Sequence, residues 1–417
     1  MDLRNYGIVT AAYWGFTLTD GALRMLVLLH FHTLGYTPVQ LAFLFLLYEF
    51  CGILTNLFGG WLGSRIGLKI TLFAGLAIQV AALTMLSLVE PGWTAALSVA
   101  YVMGAQALSG IAKDLTKMSS KSAVKLLVPK QSESPSESER RLFKWVAILT
   151  GSKNALKGAG FLLGGVLLGW LGFAPSLWSM AGALALLLMI GLIWLKQDLG
   201  KSKQKVKFTH LFSKTREINL LSAARFFLFG SRDIWFVVAL PVFLKESLGW
   251  SFASVGGFLA AWVIGYGIVQ ASTPGFVRKG GVQSDAQAAL IWGVLLIIVT
   301  AAIAAAVQFD YHPTIAILCG LAIFGIVFAV NSAVHSYLIL AYTDSDKVAL
   351  NVGFYYMANA GGRLVGTLLS GILYVKSGLP GCLWGSTAFV LLATALTIML
   401  PRRVPSHEPK KCTITRP

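Results

Sequence analysis

The sequence predicts an all-α membrane protein: twelve transmembrane helices in two six-helix halves, with both termini cytoplasmic. Three observations predict it. Hydrophobic residues make up 56% of the 417 and charged residues only 12%, where a soluble chain carries roughly 25% charged residues; the mean hydropathy is +0.72. Apolar runs long enough to cross a bilayer, about 20 residues each, recur twelve times. The basic residues between those runs fall almost entirely on one side of the implied membrane.

In chain order the runs lie at 6–32, 38–62, 69–89, 93–116, 143–171, 176–196, 217–245, 252–276, 288–308, 314–341, 350–376 and 382–400. The first is too long for a cleavable signal and carries Asp20 and Arg24 within it. Most gaps are a few residues, which leaves no room for a globular extramembrane domain. The longest gap, KQDLGKSKQKVKFTHLFSKTREI, is basic and separates six runs from six. The expected organisation is therefore an N-terminal half at 1–196, a cytoplasmic linker at 197–216, a C-terminal half at 217–400 and a tail at 401–417. A second gap near 117–142 contains QSESPSESER and reads as a polar loop.

With the N-terminus inside, the cytoplasmic segments hold 25 Lys and Arg, and the opposite side holds two, Lys245 and Lys376. This is the positive-inside pattern. It accounts for most of the net charge of +17 through topology and contact with anionic headgroups of the lipid bilayer, so the basic balance does not indicate a nucleic-acid partner. Cys51, Cys319, Cys382 and Cys412 form no CxxC pair, so neither a disulfide framework nor a metal site is expected, and no cofactor motif is present.

Seven cations remain inside the runs: Arg24, Lys113, Lys153, Lys157, Arg225, Arg232 and Arg363. Four acids join them: Asp20, Glu49, Asp114 and Asp233. Each charge costs about 2.5–3.5 kcal/mol or more at mid-bilayer unless it is paired or faces water, so eleven of them imply a hydrated interior. Arg24 follows Asp20 by four residues, on the same helical face. Lys113–Asp114 and Arg232–Asp233 are adjacent, and Glu49 is available to a cation on another helix. About three cations still need an anion from outside the protein, and a multiply charged anionic small molecule supplies it. Lys113 near its run's end also suits a snorkelling role, and the stripe Lys113, Lys117, Lys121, Lys125 a solvated helix face.

Spacing gathers the candidates. Lys153 and Lys157 are one turn apart with Asn154 between them, as are Asn331 and His335, and Asn359 and Arg363; Arg225 and Arg232 are seven apart on one face. The expected substrate-binding residues are Arg24, Lys153, Asn154, Lys157, Arg225, Arg232, Asn331, His335, Asn359 and Arg363. Asp20, Glu49, Asp114 and Asp233 are the gating or proton-coupling candidates. Asp20 and Asp233 near the middles of runs one and seven suggest a repeat of the two halves. Gly160–Gly164 and Gly362–Gly366 have the small-xxx-small spacing of close helix packing.

Gly60-Trp-Leu-Gly-Ser-Arg-Ile-Gly-Leu-Lys69 resembles the G-x-L-a-D-r-x-G-r-k signature of the major facilitator superfamily, with Ser64 in place of its Asp. Gly160-Phe-Leu-Leu-Gly-Gly165 is similar to the antiporter motif G-P-x-x-G-G, with Phe161 in place of proline. Residues 13–36, 106–129, 145–161 and 222–243 resemble the organoarsenical efflux permeases of that superfamily, the ArsJ type. That resemblance implies export of 1-arseno-3-phosphoglycerate, arsenate resistance, a bacterial inner-membrane location, and a functional link to the glyceraldehyde-3-phosphate dehydrogenase that makes the substrate. A molecule carrying a phosphate and an arsenate ester at opposite ends suits cations at two places in a cavity.

Three other readings stand beside it. The same cavity suits another phosphorylated metabolite, or inorganic phosphate or arsenate. A membrane-embedded enzyme lacks a visible nucleophile–base arrangement or metal-ligand spacing. A non-transporting receptor or channel is poorly served by two six-span halves.

Overall fold

The computed structural model describes residues 3–90, 92–127, 135–195, 215–279, 285–342 and 348–401. The linker expected at 197–216, apart from its last two residues, and the tail beyond residue 401 lie outside them. Helices account for nearly every described residue, and no strand occurs among them. They are α1 (Leu3–Thr33), α2 (Pro38–Leu44), α3 (Leu46–Ile66), α4 (Leu68–Ser87), α5 (Ala95–Leu127), α6 (Pro135–Leu171) and α7 (Phe173–Trp194). The second half has α8 (Arg216–Phe236), α9 (Ala239–Glu246), α10 (Phe252–Lys279), α11 (Asp285–Gln308), α12 (Pro313–Ala341) and α13 (Val348–Ile398). Ten stretches among the described residues are long and apolar enough to cross a membrane. The last of them, 48 residues, is two crossings, because α13 breaks at Gly378 (φ 62°) just before Pro380. With α1 the total reaches the expected twelve.

Two expected runs are each interrupted. The second divides into α2 and α3 around Phe45. The seventh divides into α8 and α9 at Val237–Val238, and Pro241 gives the reason: its ring clashes with the carbonyl four residues back, that of Val237, and it has no N–H to donate. The amides freed at the break are not left bare. Val238 and Ala239 both donate to Ser370 Oγ, at 3.3 and 3.1 Å, as backbone inside a bilayer requires.

The polar loop expected at 117–142 is a correction. Helix α5 continues to Leu127 and α6 begins at Pro135, so only 128–134 lies outside the described helices. Proline suits a first helical position, and Glu137 and Glu139 behind it favour a helix N-terminus.

Within each half, one helix pair is clasped by glycine. A Cβ on Gly160 would stand 2.5 Å from the Leu18 carbonyl oxygen, and one on Gly164 would collide with that of Ala22, so α6 lies directly on α1. In the second half a Cβ on Gly362 would collide with the Phe226 carbonyl, and one on Gly366 would stand 2.5 Å from that of Gly230. Helix α13 lies on α8 in the same way. These are the close approaches that the small-xxx-small spacing predicts. The halves meet along α6–α10 and α3–α13, where Gly158 faces Ala260 and Gly267 faces Asn154.

The largest apolar core runs through both halves. Its aromatic part sits in the second: Trp235 meets Trp262 and Phe324 edge-on, Trp262 stacks on Tyr266, and Trp262 Nε1 donates to the Leu321 carbonyl at 2.7 Å. This packing braces the α8 segment that carries Arg232 and Asp233.

Candidate functional site

At the junction of the halves, five charged side chains form one alternating chain. Glu49 of α3, fully buried, accepts from Arg24 Nη2 of α1 at 2.9 Å and from Arg363 Nη2 of α13 at 2.5 Å, both on Oε1. Asp233 of α8, also fully buried, accepts from Arg363 Nε on Oδ2 at 3.0 Å and from Arg232 Nε on Oδ1 at 2.7 Å. The order is Arg24, Glu49, Arg363, Asp233, Arg232, and Arg363 holds one carboxylate from each half. Such pairs satisfy charge in a low-dielectric interior, where an unpaired charge is expensive.

This geometry corrects one expected pairing and fills another that was left open. Arg24 does not take Asp20: Asp20 accepts instead from the Tyr48 hydroxyl at 2.6 Å, while Arg24 reaches across to Glu49 and lies over the Phe45 and Tyr48 rings. Arg363, with no opposite charge in its own run, takes the Glu49 that was available to a cation on another helix, and Asp233 as well. In both cases the partners lie on other helices, Glu49 on α3 and Asp233 on α8, which spacing along one helix does not report.

The glycine clasps also correct the repeat. Leu18 and Ala22 on α1 stand against Gly160 and Gly164 as Phe226 and Gly230 on α8 stand against Gly362 and Gly366. That registry places Arg24, two residues after Ala22, in the position of Arg232, two residues after Gly230. Asp20 and Asp233 are therefore not equivalent. Counted from the glycines, Lys157 and Asn359 correspond as well, each three residues before the first of its pair.

A second polar cluster lies beside the chain, in the C-terminal half. Arg225 is 3% exposed. Its Nη1 donates to both the carbonyl and the hydroxyl of Ser332 on α12, at 3.0 Å each, and its guanidinium lies 3.9 Å from the Phe229 ring centre and 5.0 Å from that of Tyr355. Ser332 Oγ also accepts from Tyr266 and from Gln270 Nε2, both at 3.3 Å, and Gln270 in turn accepts from Asn154 of α6 at 3.4 Å. Asn331 and His335 are buried on the same stretch of α12.

Of the remaining candidates, Lys157 lies 5.9 Å from the Phe161 ring centre and within electrostatic reach of Asp20, Arg24, Arg363 and Glu49. Lys153 is half-buried and has contacts of its own; Asn359 is buried. Asp114 stands apart from the centre with Thr55 (2.7 Å) and Lys117 (3.4 Å), and Lys113 lies 4.0 Å from the Tyr48 ring centre. Arg24, Lys157, Arg225, Arg232 and Arg363 against Asp20, Glu49 and Asp233 leave the centre with a surplus of two positive charges. No group of three or more His, Cys, Asp or Glu suited to a metal occurs among the described residues.

A family model, the Major Facilitator Superfamily, matches residues 8–338 and 221–413. The chain belongs to the major facilitator superfamily. It is a multi-pass membrane protein and a secondary transporter of that superfamily. A bacterial homologue of the iron transporter ferroportin, in its inward-facing state, superposes with a TM-score of 0.69 at 16% identity, covering 97% of this chain and 100% of that one. A point mutant of the nucleoside transporter NupG superposes with a TM-score of 0.69 at 14% identity, covering 95% and 98%. At such identities the likeness is one of fold. No curated protein matches the sequence significantly. Family and neighbours are transporters, which points away from an enzyme.

Within the superfamily signature at 60–69, Gly67 adopts φ 101° between α3 and α4, a conformation only glycine takes without strain. The side chains of Ser64 and Arg65 lie outside the described residues. In the Gly160–Gly165 motif, Gly160 and Gly164 serve the clasp with α1, while Gly165 lies against Phe252 of α10. Sequence reasoning missed Tyr48, Gln270, Ser332 and Phe229. The first three are polar side chains on otherwise apolar helices, which is the signal that would have found them; Phe229 carried none.

Proposed function

We propose that this major facilitator exports a multiply charged organic oxyanion by alternating access, with 1-arseno-3-phosphoglycerate as the substrate. It thereby gives arsenate resistance across a bacterial inner membrane, working beside the glyceraldehyde-3-phosphate dehydrogenase that makes the adduct. The observation that carries this reading is the pair Arg24 and Arg232: one guanidinium at the same place in each half, in a centre with surplus positive charge. Guanidinium forks match phosphate and arsenate oxygens bidentately, and a substrate with an oxyanion at each end offers one to each half. The four family-like stretches contain Arg24, Lys153, Lys157, Arg225 and Arg232. Entry of the substrate neutralises the surplus, and Glu49 and Asp233 keep the arginines paired when it is absent. An inside-negative potential favours anion exit by about 2.3 kcal/mol per charge per 100 mV, so export does not require proton influx.

The test is arsenic uptake into everted membrane vesicles containing the protein, supplied with arsenate alone or with glyceraldehyde-3-phosphate, NAD and the dehydrogenase. Uptake with the full mixture only, abolished by Arg24→Ala or Arg232→Ala, is the expected result. Uptake from arsenate alone makes the protein an inorganic oxyanion exporter and sinks the organoarsenical substrate.

A further inference from the structure

The five-membered chain is internally neutralised to within one charge, but Arg225 is not part of it. Among the described residues no carboxylate forms a salt bridge with it, and its only hydrogen-bond acceptors there are the neutral oxygens of Ser332. Burying an uncompensated guanidinium is expensive, and the ring faces of Phe229 and Tyr355 return only part of that cost. The site is also short of partners. Arg225 Nε, Asn331 Oδ1 and His335 Nδ1 are all buried with no hydrogen-bond partner, and buried polar atoms in native proteins nearly always have one. Two of these unsatisfied groups are nitrogens on either side of the α8–α12 contact, and Nε and the free edge of a guanidinium make the fork that oxyanions occupy.

We infer that Arg225, with His335 and Asn331, forms an oxyanion subsite of its own, which takes one monoprotonated phosphate-class headgroup, its anionic oxygens accepting from Arg225 Nε and the His335 ring and its hydroxyl donating to Asn331 Oδ1, while the Arg24–Arg363–Arg232 chain stays ion-paired. The ligand class is a phosphate or arsenate monoester, or the free inorganic oxyanion, whose chemistry at this fork is the same. The subsite rests on the reading of the protein as an oxyanion transporter and assigns a first contact within it. Arg225 and Arg232 lie 3.9 and 5.1 Å from the same Phe229 ring centre, so they are no more than about 9 Å apart. A headgroup held at Arg225 therefore leaves the other end of a short two-headed molecule beside Arg232. Seating a second anion there competes with Asp233 for Arg232, which loosens the chain that ties the halves together. Gln270 and Ser332 act as positioning residues, because they link Asn154 of the first half to the Arg225 fork.

Calorimetric titration of purified protein in lipid nanodiscs tests this, with inorganic phosphate and 3-phosphoglycerate as separate probes. Saturable binding of either probe, weakened at least tenfold by Arg225→Gln and by Asn331→Leu and partly restored in Arg225→Lys, is the expected result. Binding of 3-phosphoglycerate alone assigns the subsite to organic esters, and binding of both assigns it to the bare oxyanion. No saturable binding, or equal binding by wild type and Asn331→Leu, overturns the subsite. Asn331→Leu removes no charge, so it keeps the test decisive if Arg225→Gln does not fold. Phosphate binding without arsenic transport refutes the substrate and spares the subsite; arsenic transport undiminished in Arg225→Gln does the reverse.

Discussion

Replacing Glu49 by Gln keeps the shape of the side chain and removes the one charge that joins Arg24 to Arg363. The two partners are affected unequally. Arg363 retains Asp233 at 3.0 Å, whereas Arg24 retains, among the described residues, only the Phe45 and Tyr48 rings, 5.2 and 5.6 Å from its guanidinium carbon. The perturbation is therefore mainly one orphaned, buried guanidinium. Breaking a buried ion pair from one side costs about 3–5 kcal/mol, and the Gln carbonyl recovers part of that as a neutral hydrogen bond, about 0.5–1.5 kcal/mol. A net loss of about 2–4 kcal/mol in unfolding free energy is expected from denaturant titration in mixed micelles. Arg24→Gln on the same background should cost little more, since its partner is already gone; the double-mutant cycle should return a coupling energy of about 1–3 kcal/mol. If Glu49→Gln lies within about 0.5 kcal/mol of wild type and the two substitutions are additive, the Arg24–Glu49 link of the ion-paired chain contributes nothing to stability and the argument built on it fails.

Two further outcomes follow from packing. Gly362→Ala puts a methyl into the Phe226 carbonyl and should destabilise by about 1–3 kcal/mol as overpacking, whereas Gly182→Ala, with nothing within 4 Å of the added carbon, should be neutral or gain up to about 1 kcal/mol; the same denaturant titration reads both. Ser370→Ala strips the acceptor from the Val238 and Ala239 amides and should cost about 1–3 kcal/mol, with faster hydrogen exchange confined to the α8–α9 break.

The fold was legible because its signals are long and additive: twenty-residue apolar runs and a lopsided distribution of Lys and Arg need no tertiary knowledge. The glycine clasps were legible too, since four-residue spacing is a property of a single helix. The pairing of charges was not. Asp20 and Arg24 satisfy every local rule for a helical pair, yet Glu49, twenty-five residues on, takes Arg24 because α3 brings it closer and leaves Asp20 to Tyr48. Arg363 and Glu49 are separated by more than three hundred residues, beyond any periodicity. The breaks in the second and seventh runs differ in this respect: Pro241 announces the seventh, while nothing in the residues around Phe45 announces the second.

The matching registry of the two glycine clasps bears on how the protein tells one end of its cargo from the other. A ligand anionic at both termini meets an arginine at the corresponding position whichever way round it enters, so the placement of Arg24 and Arg232 by itself imposes no direction on it. Handedness has to come from places where the two halves differ. Lys157 and Asn359 are one such place, with a full positive charge on one side and a neutral amide on the other; Arg225 lies in the second half alone. Exchanging Lys157 and Asn359 would leave net charge and composition untouched while reversing that one contrast between the halves, with Arg225 still on its own side.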